Sequence, residues 1–236
     1  MSLPPRPGRD YVAALDVGTR RDLTALAVGH AERTASGQVV VIDRALHWRP
    51  ADSGGRVDLA EVEESTLRLC REYGARLRFD RMKAEQLTGN LARAGVRADE
   101  FVFSASGANR LARSLFVALR DRSLSLPDDP ETRAEFIATR MIETGPGTVK
   151  LANPPGQHDD IVTAVGMVVV DLAGRHEPGG GSIRVPSGRT VVRGTLDERP
   201  RPGAVQAVRQ AEQRGPRGIP AIVMPGSPND LARVRR

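Results

Sequence analysis

The stretch from Tyr11 to Val17 is a nearly continuous apolar run that is interrupted only by Asp16. A run of this length predicts a strand that is buried on both faces, as in a sheet covered by helices. A carboxylate inside such a strand is costly in free energy unless it is paired or bound to a metal ion. Asp16 is therefore the first candidate functional residue of the chain.

The sequence after this run changes from strands to helices and strands in alternation. Thr24 to His30 and Val39 to Ile42 predict two more strands, and the short turns between them favour an antiparallel meander. The later expected elements are a helix from Asp58 to Gly74, a strand from Leu77 to Phe79, a helix from about Lys83 to Ala94, a strand from Phe101 to Phe103, a helix from about Asn109 to Asp121, a helix from Pro130 to about Glu143, a strand from Val149 to Leu151 and a last helix from Asp159 or Asp160 to about Gly174. This order predicts an α/β fold whose mixed sheet, three antiparallel strands followed by parallel crossover strands, is flanked by helices.

Two further acidic positions stand at the ends of predicted elements. Asp80 ends a crossover strand, and if that strand lies parallel to the first, its carboxylate falls at the same sheet edge as Asp16. Asp159 and Asp160 begin the last helix, where adjacent side chains point about 100° apart. Asp is also common in turns and at helix N-caps, so each position has an ordinary structural explanation. We favour Asp160 as a metal ligand and Asp159 as a cap or secondary ligand.

Carboxylates that converge on one point repel each other, and divalent cations would remove that conflict. Mg²⁺ and Mn²⁺ prefer oxygen ligands. Two such ions about 4 Å apart can activate a water molecule and stabilise the leaving oxygen of a phosphodiester. The joint placement of Asp16, Asp80, Asp159 and Asp160 therefore predicts a site for Mg²⁺ or Mn²⁺.

The cysteine content and the apolar runs exclude several classes of protein. The single cysteine, Cys70, excludes an internal disulfide framework and a cysteine-rich zinc site, and it fits a reducing compartment. No run reaches the roughly 18 apolar residues of a membrane span, and the first residues do not resemble a signal peptide. We therefore expect a soluble, cytoplasmic protein with no membrane partner.

The positive charge is concentrated in the last quarter of the chain. The 236 residues carry a net charge of +6, and 12 arginines but only five acidic residues lie within 175–236. This Pro/Gly/Arg-rich segment is expected to be a flexible tail, with Val205 to Gln213 as its one potential helix. Residues 1–9 are expected to be unordered and 10–174 to form the folded domain. The tail either binds polyanions through their phosphates or only keeps the chain soluble.

Three segments resemble the nuclease domain of the phage terminase large subunit. Tyr11 to Gly18 and the following Arg21 to Ala25 resemble the first strand and turn of that domain. Arg78 to Asp80 is similar to its second acidic strand end, and Gln157 to Ala164 resembles the start of its final acidic helix. The resemblance covers roughly residues 10–174.

The resemblance implies a ribonuclease H-like fold and two-metal cleavage of double-stranded DNA during phage genome packaging. It implies that Asp16, Asp80 and Asp160 are catalytic and hold two Mg²⁺ or Mn²⁺ ions, with Asp159 supporting them. Asp22 matches an acid in the family's first turn, and we expect it to brace the turn rather than to bind metal. A phage-encoded endonuclease of this kind would act in the host cytoplasm.

One departure from that family concerns its motor. A complete terminase large subunit also contains an ATPase with a phosphate-binding loop, and no Gly-x-x-x-x-Gly-Lys-Ser/Thr motif occurs in this sequence. We therefore expect that this chain does not drive DNA translocation by itself and is a separately encoded nuclease half, a trimmed domain or a prophage remnant. A separate terminase ATPase subunit is one implied partner. The small terminase and the portal are the other implied partners.

Three alternative interpretations follow from the same residues. Leu15 to Arg21 also resembles the start of the resolvase-like nucleases that process ribosomal RNA, but their later acidic motif is missing from the folded part. Asp16 to Thr19 also matches the Asp-x-Gly-Thr of sugar and acetate kinases, which need a second domain and a second Gly-rich nucleotide site that this sequence lacks. The third alternative is a non-catalytic module that docks on DNA or on a portal through the Arg-rich tail.

Overall fold

The apolar run at the start of the chain forms an inner strand of a sheet in the computed structural model of the protein. The structure describes residues 3–18, 22–35, 37–154 and 156–174, together with a short strand at 222–223. The remainder of the predicted tail, including the expected helix from Val205 to Gln213, lies outside the described residues. In the N-terminal segment, which we expected to be unordered, the Leu3 amide donates a hydrogen bond of 3.1 Å to the Asp43 carbonyl.

A six-stranded sheet with the order β5-β4-β1-β2-β3-β6 forms the frame of the domain. Its strands are β1 (Tyr11–Asp16), β2 (Thr24–Thr34), β3 (Gly37–Trp48), β4 (Arg76–Phe79), β5 (Ala98–Glu100) and β6 (Leu124–Ser125). β1, β2 and β3 pair antiparallel, whereas β4 is parallel to β1, β5 to β4 and β6 to β3. The predicted fold class, an antiparallel meander extended by parallel crossover strands, is confirmed.

Five α-helices flank this sheet in the described part of the chain. They are α1 (Leu59–Tyr73), α2 (Arg81–Arg93), α3 (Ala105–Arg120), α4 (Pro130–Ala138) and α5 (Asp160–Ala173). Side chains of β1 alternate between two cores: Val12 and Ala14 pack with α3 and α5, while Ala13 and Leu15 pack with α1 and α2. Burial on both faces explains why the run has no polar alternation. None of the helices in the described ranges has the length and apolar character needed to cross a membrane.

The first long helix begins and ends at the signals that the sequence contains. Asp58 accepts hydrogen bonds from the amides of Ala60 (2.9 Å) and Glu61 (3.4 Å), which satisfies two amides that have no partner within the helix. Gly74 then adopts a left-handed conformation with φ of 60° and ends α1. The prediction of a helix between these two residues is confirmed.

Two predicted elements between residues 98 and 145 were wrong. The strand expected at Phe101 to Phe103 lies earlier, as β5, and the Phe101 amide only donates to the Phe79 carbonyl (2.8 Å). The helix expected to reach Glu143 ends at Ala138, and Arg140–Gly145 instead form β7, which pairs antiparallel with β8 (Thr148–Ala152). The turn between β7 and β8 contains Gly147 at φ 69°, a backbone conformation that glycine adopts easily. This turn allows the chain to form a hairpin here instead of continuing α4. β9 (Ile222–Val223) pairs with the other edge of β7.

Buried ion pairs fix the C-terminal end of α5 to the sheet. Asp171 accepts hydrogen bonds from Arg76 and Arg78 of β4, and the distance from Arg78 Nε to Asp171 Oδ2 is 2.6 Å. Burial raises the pKa of the Asp171 carboxyl, but the hydrogen bonds from the two guanidinium groups outweigh it and hold that pKa below its usual range. The last helix is therefore anchored to the strand that leads to Asp80.

Candidate active site

The register between β1 and β4 brings the first two predicted acids to the same edge of the sheet. Leu15 is paired with Phe79 in the parallel ladder, so Asp16 and Asp80 are the next residues along neighbouring strands. Asp16 is also paired with Ala25 of β2 and is only 4% exposed, whereas Asp80 is half-buried. Carboxyl ends of parallel strands are where open α/β sheets bind their ligands.

The N-terminus of α5 brings the other two predicted acids to this edge. The body of the helix is buried against the sheet, and Asp160, its first residue, is 4% exposed. Asp160 Oδ2 accepts a hydrogen bond from the Leu23 amide at 3.1 Å, and His158 Nδ1 lies 3.7 Å from the same oxygen. The carboxylate of Asp160 is thus directed at the turn that joins β1 to β2.

All four predicted acids line one cleft of about 400 Å³. Its described walls are formed by Asp16, Asp22, Asp80, Phe103, Ala108, Leu111, Lys150, Leu151, Asp159, Asp160 and Thr163. A larger cavity of about 780 Å³ lies beside the far end of β2, but its acidic and basic lining residues balance each other. The concentration of five aspartates beside one lysine singles out the smaller cleft as the candidate active site.

The side chains of the cleft fit hard divalent cations by their chemistry. Carboxylate oxygens are ligands that Mg²⁺ and Mn²⁺ prefer, and no cysteine is among the described residues that line the cleft. Within the described ranges, no three His, Cys, Asp or Glu residues already form a compact metal-binding group. The aspartates share the cleft without forming a compact cluster, so a bound cation would have to draw their carboxylates closer together.

Asp22 lies in the wall of this cleft, after a turn that only a glycine can close. A Cβ atom on Gly18 would lie 2.2 Å from the Leu23 carbonyl oxygen and 2.4 Å from that of Asp22. The Gly18 carbonyl in turn accepts a hydrogen bond from the Thr24 hydroxyl at 2.7 Å. This close approach places the Leu23 amide where it meets Asp160.

We expect Gly18→Ala to lower the free energy of unfolding by about 1–3 kcal/mol, because the added methyl group overlaps backbone atoms. The displaced turn would also weaken the contact between the Leu23 amide and Asp160. Urea denaturation measures the first effect. Gly89→Ala is the control, since Gly89 lies in α2 with open space around its Cβ position, and this change should stabilise the protein by roughly 0.5–1 kcal/mol. Equal effects at the two glycines would contradict the steric explanation.

Glu135 is a residue beside the site that the sequence analysis missed. It lies on α4, is 8% exposed, and its Oε1 accepts a hydrogen bond from the Val162 amide of α5 at 2.8 Å. Burial, with smaller contributions from the charges of Asp159 and Asp16, raises the pKa of Glu135 to about 7, although the hydrogen bonds from the α5 amides act to lower it. The sequence signal that could have identified Glu135 is its helical spacing from Thr132 and Phe136, which places it on the buried face of α4, where a glutamate is unusual.

Lys150 is the second residue that the sequence analysis did not place in the site. It lies on β8 and is exposed, and its positively charged side chain lines the same cleft as the negatively charged aspartates. It is one of only two lysines in a chain whose other basic side chains are arginines. The hairpin that carries it was predicted in part as helix, so its position beside the acids was not predictable.

The fold has counterparts among solved structures, although no protein-family model and no curated protein matches the sequence. The large terminase nuclease from thermophilic phage G20c superimposes with a TM-score of 0.57 and 18% identity, covering 70% of this chain and 83% of that chain. The large terminase of bacteriophage HK97 gives 0.58 and 18% identity, covering 72% of this chain and 41% of that chain. This chain has the fold of large terminase nucleases.

The predicted resemblance to the terminase nuclease domain is thus confirmed at the level of the fold. Solved forms of the phage G20c nuclease include one with bound magnesium (TM-score 0.56, 19% identity, 70% of this chain and 83% of that chain). Sequence identities below 20% support a shared fold but do not show that the two proteins catalyse the same reaction. The function must therefore be argued from the residues of the cleft.

Proposed function

We propose that this protein is a metal-dependent endonuclease that cleaves double-stranded DNA, as in phage terminase genome packaging. The observation that carries the proposal is that Asp16, Asp80, Asp159 and Asp160 line a single cleft on a fold shared with terminase nucleases. Two of these carboxylates are almost fully buried, and such costly burial of charge is typical of functional sites.

Asp16, Asp80 and Asp160 are the residues that would hold two Mg²⁺ or Mn²⁺ ions, with Asp159 as a supporting ligand. When bound, such ions lower the pKa of a water molecule and neutralise charge on the leaving oxygen of a phosphodiester. Asp22 completes the acidic wall, and the Leu23 amide orients the Asp160 carboxylate through its hydrogen bond.

The positively charged side chains of the protein would bind the DNA substrate. Lys150 stands in the wall of the cleft, where an ammonium group can bind a DNA phosphate beside the acids. Phosphate contacts orient a duplex without reading its sequence, so we expect weak sequence preference. The Arg-rich tail is proposed to add non-specific affinity. A separate terminase ATPase, a small terminase and a portal are the proposed partners, in the host cytoplasm.

Nicking of supercoiled plasmid DNA tests the proposal directly. We expect relaxed and linear products only when Mg²⁺ or Mn²⁺ is added, because the acids alone cannot supply an activated water at neutral pH. The measurement is the rate of loss of supercoiled DNA with each ion and in excess chelator. Undiminished cleavage in chelator would refute the metal-dependent mechanism. Cleavage of structured RNA without cleavage of DNA would favour the ribosomal-RNA-processing alternative, and DNA binding without cleavage would favour the docking module.

A further inference from the structure

The N-terminus of α5 is capped differently from the other α-helices whose N-caps are described. Asp58 of α1, Ser104 of α3 and Asp129 of α4 each accept a hydrogen bond from an amide of their own first turn. Asp159 occupies the same position in α5, yet within the described residues its side chain makes no capping hydrogen bond. Aspartate is among the preferred N-cap residues, so its failure to cap requires a cause.

The cause is that another side chain has taken the amide. Glu135 Oε1 accepts from the Val162 amide at 2.8 Å, across 27 residues of sequence, and the contact is buried. Val162 is the third residue of α5, and its amide is one that an N-cap side chain normally satisfies. With that amide already bonded, the Asp159 carboxylate lines the cleft instead of folding back on its helix.

We propose that Glu135 is a positioning residue: it caps α5 from α4 and thereby keeps the Asp159 carboxylate in the cleft, available to a metal ion. Its link to metal binding rests on the proposed function, but the exchange of capping partners does not. Without Glu135, Asp159 would turn back to the Val162 amide, because a buried helix terminus with an unbonded amide is costly in free energy.

Amide hydrogen exchange of Val162 in the metal-free protein tests the exchange of partners. The variants are Glu135→Ala, Asp159→Ala and the double variant, with Glu131→Ala as the control on the same helix, where the glutamate pairs with Arg49 instead. We expect Asp159→Ala alone to leave the protection of Val162 unchanged, because Glu135 holds that amide. In the Glu135→Ala background the same substitution should lower protection at least tenfold, because Asp159 is then the cap. Equal effects of Asp159→Ala in both backgrounds would overturn the proposal.

Mn²⁺ affinity, measured by titration of the full chain, tests the consequence for the cleft. Loss of Glu135 is expected to weaken Mn²⁺ binding about tenfold, in the range typical of residues that orient metal ligands. Asp159→Ala should cause a similar loss, and the double variant should lose little more. Glu135→Gln should restore most of the affinity, since its amide oxygen can still accept from Val162, and Glu131→Ala should bind as the wild type does.

The two measurements separate the inference from the proposed function. Wild-type affinity in Glu135→Ala, or losses that add in the double variant, would overturn the role of Glu135 in keeping Asp159 in the cleft. If the wild-type chain neither binds Mn²⁺ nor cleaves DNA, the proposed function fails. The Val162 exchange pattern would then still decide whether Glu135 replaces Asp159 as the cap of α5. Thermal unfolding of each variant identifies any that fail to fold.

Discussion

Replacement of Asp16 by asparagine is expected to lower the rate of plasmid nicking by about 10³-fold without disrupting the fold. Asparagine keeps the size and shape of the side chain but removes one of the negative charges that line the acidic cleft. Asp16 is 4% exposed and lies among other carboxylates, so its charge repels theirs when no cation is bound. In chelator we therefore expect Asp16→Asn to unfold at the same or a higher temperature than the wild type. Loss of activity together with unchanged or increased stability is the signature of a functional residue.

The matched control is Asp121→Asn, which changes the charge by the same amount at the C-terminus of α3. Asp121 is exposed, pairs with Arg120 and does not line the cleft. This variant should nick DNA at the wild-type rate under the same concentrations of Mg²⁺. Retention of more than about a tenth of the activity in Asp16→Asn would remove Asp16 from the catalytic site.

The largest expected loss of stability follows from removing Asp171. Its carboxylate is 10% exposed and is shared by two guanidinium groups, those of Arg76 and Arg78. Asp171→Ala would leave these positive charges partly buried without their partner, and breaking a buried pair in this way costs about 3–5 kcal/mol. Urea denaturation measures the loss. Asp121→Ala breaks an exposed Asp–Arg pair and should cost less than about 1 kcal/mol. Similar losses in both variants would contradict the importance of burial.

The contribution of Asp171 should also depend on pH, and its sign follows from the lowered pKa of the carboxyl. Because the folded state holds this proton less tightly than the unfolded chain, the ion pairs stabilise the fold fully above the unfolded pKa near 4. Their contribution is lost as the pH falls through the lower pKa of the folded state. The difference in stability between the wild type and Asp171→Ala should therefore be constant at neutral pH and shrink below about pH 4.

The parts of the fold that could be predicted are those where one local pattern decides the structure. The run from Tyr11 to Val17 is apolar because both faces of β1 are covered, and Asp16 stood out for that reason. Asp58 and Gly74 bound α1 because capping and left-handed backbone have strong side-chain preferences. The shared edge of Asp16 and Asp80 was predictable only because parallel crossovers leave few topologies open.

The rest could not be predicted because it depends on contacts between distant segments. Arg140–Gly145 has no distinct periodicity, and only its pairing with β8 and the turn at Gly147 make it a strand. The sequence does not decide whether Asp159 caps α5 or binds a metal ion, because it contains no sign that Glu135 accepts from the Val162 amide. No local pattern marks Lys150 as a site residue, because only the β7–β8 hairpin brings it to the cleft.

The hydrogen bond between the Leu23 amide and Asp160 joins residues 137 positions apart. During synthesis, the segment with Asp16 and Asp80 leaves the ribosome long before α5 exists, and β1 lacks a large part of one core until that helix arrives. A partly made chain therefore contains two of the acids but no completed cleft. If the cleft cuts DNA, the protein is harmless to nearby DNA until nearly all of its folded domain has been translated.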